Sequence, residues 1–201
     1  MEINSDFKVI LKQGPVQQVQ LSTGENLIDG IKFELNNESF IIRNDNSCKW
    51  SRSYEMPTLY VVHPDLHKII QGGSGLVVSE GVLNYPALFL ESRNQSGDFD
   101  LEVACDQLTI SSNDLSNFYI TGESDYLKIG FYSGDGRFEG HRFKVKKAEI
   151  YHRGSNDIMV YTTEKLTGRL LSTGNLIYVK TQPSIIEIST ENIGRLINRT
   201  E

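Results

Sequence analysis

The chain has 201 residues, a mass of 22.7 kDa and a formal net charge of −6. Three alanines against 19 isoleucines and 12 valines argue against a helical bundle, because Ala is the best helix former and β-branched residues favour strands. The acidic balance is the wrong sign for a generic nucleic-acid binder, which draws most of its affinity from phosphate neutralisation, and no run approaches the ~18–20 apolar residues of a membrane-spanning helix. With 17 Gly, 19 Ser and 14 Asn, turns are frequent, and the chain reads as all-β.

In chain order, the start, Met1-Glu2-Ile3-Asn4-Ser5-Asp6, has neither a basic n-region nor an apolar h-region, so no signal peptide is expected in this chain. Phe7-x-Val9-x-Leu11, Val19-x-Leu21, Ile31-x-Phe33-x-Leu35 and Phe40-x-Ile42 alternate as half-buried strands do. Asn36-Asn37 suits a hairpin turn between two of them. Residues 1–57 are therefore expected as an N-terminal β cap over the first repeat of the remaining chain, since an uncovered strand edge invites aggregation. Trp50, alternating with Arg52 and Tyr54, is a candidate sugar-stacking platform; its plainer role is packing where cap and repeats meet. Cys48 and Cys105 suit two ordinary thiols or one bridge, not a disulfide scaffold, and no CxxC or Cys/His cluster points to zinc.

From residue 59 a pattern recurs. A small or polar turn residue precedes a large apolar one at Leu76, Phe99, Phe118, Phe138, Ile158 and Leu176, spaced 23, 19, 20, 20 and 18. A second column keeps step with it: Leu88-x-Leu90, Leu108-x-Ile110, Leu127-x-Ile129, Ala148-x-Ile150 and, more weakly, Leu166-x-Gly168. A period near 20 without helices predicts a β-solenoid in which equivalent residues stack as inner ladders. The segment after Pro183, with Ile185-Ile186-x-Ile188, predicts a last strand, and residues 191–201 a tail that covers that end or frays.

Few residues suggest chemistry. Asp98-x-Asp100-x-Glu102 places three carboxylates on one strand face, a candidate Ca²⁺ site through oxygen ligands or simply a solvated outer face. Arg142, Lys144 and Lys146 share a face opposite Phe143 and Val145, a positive stripe suited to an anionic polysaccharide or lipid headgroup or to plain solubility. Lys144 or Arg142 near Glu139 is the one constellation that a polysaccharide lyase or hydrolase could use. Gly134-Asp135-Gly136-Arg137 lacks the Lys and the helix of a phosphate loop. No nucleophilic triad, cofactor or catalytic residue is expected.

Several stretches together resemble the bacterial head GIN domain family, usually described as putative auto-transporter adhesins. They are Glu25-Asn26-Leu27-Ile28, Cys48-Lys49-Trp50-Ser51-Arg52-Ser53-Tyr54, Pro57, Leu59-Tyr60-Val61 and Gly73-Ser74-Gly75. Near the end come Ser172-Thr173-Gly174-Asn175-Leu176-x-Tyr178 and Pro183. The middle turns, such as Ser96-Gly97-Asp98 and Ser116-Asn117, depart from the family's Gly-Ser-Gly. The resemblance implies a right-handed parallel β-helix in the cell envelope or periplasm or on the surface of bacteria, and no established catalytic residues. The expected fold is thus all-β: a single-stranded right-handed parallel β-helix of about six rungs, with an N-terminal β cap over residues 1–57, rungs over 58–190 and a tail over 191–201. The expected role is a non-catalytic, adhesin-like surface module that binds glycan or protein partners. A carbohydrate-active β-helix enzyme and a purely structural module that forms homo-oligomers are the alternatives.

Overall fold

The computed structural model of the chain describes residues 1–37, 39–46, 56–93 and 96–200. The alternating segments at the start become β1 (Glu2–Ile3), β2 (Lys8–Gln13), β3 (Gln18–Ser22), β4 (Ile31–Asn36) and β5 (Ser39–Asn44), with one helical turn, α1 (Glu25–Ile28), before β4. Next come β6 (Thr58–His63), β7 (Lys68–Gln71), β8 (Leu76–Ser79), β9 (Leu83–Asn84) and β10 (Ala87–Ser92). Then come four long strands: β11 (Asp98–Ser112), β12 (Asn117–Phe131), β13 (Arg137–His152) and β14 (Ile158–Leu170). The chain closes with β15 (Leu176–Val179), β16 (Ile185–Thr190) and β17 (Leu196–Arg199). None of the described helices is long and apolar enough to cross a membrane.

Two parallel ladders run the length of the molecule. One stacks β6, β2, β8, the first halves of β11 to β14, then β15 and β17. The other stacks β5, β1, β7, β10, the second halves of β11 to β14, then β16. Each long strand belongs to both ladders and turns the corner between them as one continuous strand, in β12 with Gly122 at φ +105°. The result is the coil of a parallel β-helix, as the period predicts.

The core lies between the ladders. Phe99, Phe118, Phe138, Ile158 and Leu176 align in register, each fully buried. The Phe99 and Phe118 rings stack 5.0 Å apart at 7°. One rung cannot bury its own inner face. Stacking gives each such side chain roughly 1.5–3 kcal/mol of transfer free energy. The second column holds throughout: Leu88, Leu108, Leu127, Ala148 and Leu166 align, as do Leu90, Ile110, Ile129, Ile150 and Gly168. The first member of the first column differs from expectation. Val77, fully buried, faces Phe99, whereas Leu76 pairs with Asp98 and is half-buried. With Val77 in the column the first spacing becomes 22 instead of 23, still the longest of the set.

Residues 1–57, expected as a cap, divide into two roles. β1 and β2 enter the stack as a parallel rung, with β5 and β6 on one side and β7 and β8 on the other. The chain therefore begins inside the helix, leaves it to build the outermost coil, and returns by stepping over its own first strands. The cap itself is antiparallel: β3 covers β6, and β4 covers β5 through the hairpin that places Asn36 opposite Ser39. Asn37 turns that hairpin at φ 43°, a left-handed conformation that Asn tolerates. At the other end β17 pairs with β15, so residues 196–199 extend the coil by one strand.

Candidate functional site

The corner where β11 to β14 pass between ladders is built from short, uneven steps. Between Gly140 and Lys144 the register of β13 slips: Gly140 faces Val160, but Lys144 faces Tyr161, leaving 141–143 unmatched on β14. Extra residues of this kind bend a strand and re-aim its side chains. Phe143 and Val145 remain inside, and Arg142, Lys144 and Lys146 point outward, as the alternation predicts.

The bends leave an open groove of about 730 Å³ across successive coils. Its walls include Asn84, Cys105, Asp106, Glu123, Ser124, Asp125, Lys144, Lys146 and Thr163. Gln13 closes one end: its Nε2 donates to the Asn84 carbonyl at 2.8 Å, and the Asn84 N–H donates to its Oε1 at 2.7 Å.

Two of the three predicted basic residues thus line the groove, and Lys146 is paired with a carboxylate there. Lys146 Nζ lies 2.6 Å from Asp125 Oδ1. That hydrogen bond, with the charge it carries, holds the lysine above its ordinary pKa. Lys144 sits in register with Glu123. The groove is therefore a mixed field of both signs, not the positive stripe expected from the sequence. Its acidic side, Asp106, Glu123 and Asp125, is absent from the sequence expectations. A signal for it exists nonetheless: Asp106, Asp125 and Lys146 are spaced 19 and 21, the period of the inner ladders.

Cys105 also faces the groove as a free thiol and lies 3.5 Å from Ser124 Oγ. Burial pushes its pKa up, which keeps it protonated and a poor nucleophile. Cys48 lies outside the described residues, and so do Trp50, Arg52 and Tyr54.

The three predicted calcium ligands share the outer face of β11 but have separate surroundings. Asp98 Oδ1 accepts from the Asn117 N–H at 2.8 Å and from Asn117 Nδ2 at 3.0 Å, fastening one coil to the next. Asp157 does the same for Asn175. Asp100 stands beside Tyr119, and Glu102 beside Thr121, both exposed to solvent. Among the described residues no group of three or more His, Cys, Asp or Glu side chains converges on one point. Near the candidate lyase residues, Glu139 is engaged by Arg137.

No curated protein matches the chain. A family model described as putative auto-transporter adhesin, head GIN domain, matches residues 1–183. Among solved structures the chain is similar to a putative adhesin from Bacteroides fragilis, at 20% identity and a TM-score of 0.88, over 98% of this chain and 91% of that one. It is also similar to a putative lipid binding protein from Parabacteroides distasonis, at 17% identity and 0.71, over 100% and 92%. A putative adhesin from Parabacteroides merdae matches at 13% identity and 0.62, over 98% and 90%. At these identities the likeness establishes a shared fold.

Proposed function

The chain belongs to the putative auto-transporter adhesin, head GIN domain family, and from that premise we propose that it is a non-catalytic binding module of the cell surface or envelope. Its corner groove is the contact site for a glycan or protein partner. The observation that carries this reading is the groove itself. It is a polar furrow of about 730 Å³ on a rigid coil, with Lys144 and Lys146 set against Glu123 and Asp125. Fixed charges of both signs on a stiff scaffold orient a polar partner more than they bind it by sheer attraction. The raised pKa of Cys105 and the pairing of Asp125 with Lys146 support a binding role over a catalytic one.

Solid-phase binding to immobilised envelope polysaccharides and surface proteins tests the proposal. Wild-type protein is expected to be retained on at least one such surface. Lys144→Glu/Lys146→Glu is expected to lower that retention about tenfold and to remove its sensitivity to salt. Retention unchanged in the double variant would remove the groove from consideration.

A further inference from the structure

A second surface lies away from the groove, on the outer face of the other ladder. Tyr132 sits just past the end of β12, and the hydroxyl end of its ring reaches back over Gly130. A Cβ built on Gly130 would come within 2.7 Å of the Tyr132 hydroxyl oxygen and 2.8 Å of Cε2. A side chain at this position would push the end of the Tyr132 ring outward. Tyr132 is nevertheless 47% exposed. Tyr151 stands in register with Gly130, and its ring lies 5.2 Å from that of Tyr132, tilted by 36°. The two tyrosines form one aromatic surface held in place from beneath.

The rim of this surface is polar. Ser111 is the register partner of Gly130, and Arg169 that of Tyr151. The Tyr132 N–H donates to the Ser112 carbonyl and the Arg153 N–H to the Phe131 carbonyl, which puts Asn113 and Arg153 in the adjoining coils. Asn113, Arg153 and Arg169 are all exposed, and the Arg169 guanidinium donates to Glu191 at 2.5 Å. A flat ring bordered by an amide, a hydroxyl and guanidinium groups suits a ligand with one apolar face and a hydroxylated edge.

We propose that Tyr132 and Tyr151 are a saccharide-binding platform, which takes the C–H face of a pyranose ring on Tyr132. The sugar's polarised C–H groups meet the negative face of the aromatic ring. Its equatorial hydroxyls reach Asn113, Arg153 and Ser111, which set its orientation. The assignment rests on the reading of the chain as a surface binding module and adds the ligand class at a site separate from the groove.

The test is a titration of the full chain with lactose, cellobiose, maltose and N,N′-diacetylchitobiose, read by saturation-transfer NMR and chemical-shift change. At least one disaccharide is expected to bind. Tyr132→Ala is expected to weaken it about tenfold. Gly130→Ala keeps both rings but lifts one off the sheet, and it should weaken binding at an unchanged thermal midpoint. Tyr119→Ala, which removes an exposed aromatic outside both surfaces, should leave the affinity as it is. The proposal is overturned if none of the four sugars binds, or if neither Tyr132→Ala nor Gly130→Ala weakens binding. A disaccharide lost in Lys144→Glu and retained in both platform variants overturns it too, while leaving the groove as the binding site.

Discussion

His152 is fully enclosed, with its ring edge-on to Phe131. Nε2 lies 2.7 Å from the Asn156 carbonyl, and Nδ1 accepts from the Gly154 N–H at 3.4 Å. That pair of contacts suits a neutral ring with its proton on Nε2. Burial lowers its pKa below the ordinary 6.5, against smaller raising contributions from the Asn156 carbonyl and the Asp157 charge. In the unfolded chain the same ring takes a proton at its ordinary value, so below that pH the unfolded state binds more protons. The stability held by neutral His152 is therefore fully present above about pH 6.5 and is lost as pH falls through the lowered value. Thermal midpoints between pH 5 and 8 should fall less steeply on acidification in His152→Phe than in wild type; equal slopes would refute the assignment. Phe118 and its neighbour Tyr119 test the two faces of one strand. Phe118 is 0% exposed and Tyr119 40%. Phe118→Ala should cost about 3–5 kcal/mol in denaturant unfolding, and Tyr119→Ala under about 1 kcal/mol.

Among the coils, the turn after the second ladder repeats in a way that the ladders do not. Gly134, Gly154, Gly174 and Gly194 recur every 20 residues, and Gly174 N–H donates to the Gly154 carbonyl at 3.2 Å. Gly134 has φ +88°, and a Cβ there would sit 2.2 Å from the Asp114 carbonyl oxygen. Gly134→Ala should therefore cost roughly 1–3 kcal/mol, read as a drop in midpoint without loss of the β spectrum. Where the coil is regular, its register is legible from apolar residues alone: Leu108, Leu127, Ala148 and Leu166 stack as their spacing says. The slip at Leu76 and Val77 is not, because two adjacent apolar residues offer two registers and only the partner strand chooses. Nor is the bulge at 141–143, across which the offset between β13 and β14 changes from 20 at Phe138 and Ile158 to 18 at Ala148 and Leu166, a shift that only the partner strand locates. The predicted basic residues stand on the expected face. Their carboxylate partners come from other coils, so no local window contains them.

At the scale of the whole molecule, the two ends are unlike. β3 and β4 close one end as antiparallel strands. The other ends on β16 and β17, where Ile186, Ile188 and Leu196 are only partly buried. A chain cut after Ser184 would lose both strands and uncover the inner faces of β14 and β15. It should melt lower and scatter light with rising concentration, because open edges template further pairing. The first thirteen residues have a different consequence, one of timing. Partners in the middle coils are about 20 residues apart, but Glu2 waits for Ile41 and Lys8 for Leu76, 39 and 68 residues away. Chain closure over longer separations is slower. β1 and β2 are synthesised before the strands that flank them and are thus among the latest to be locked in place. Pulse-labelled hydrogen exchange during refolding should find the amides of β12 and β13 protected before those of β1 and β2. Until the segment from Thr58 to Ser79 arrives, β2 lacks both of its parallel neighbours.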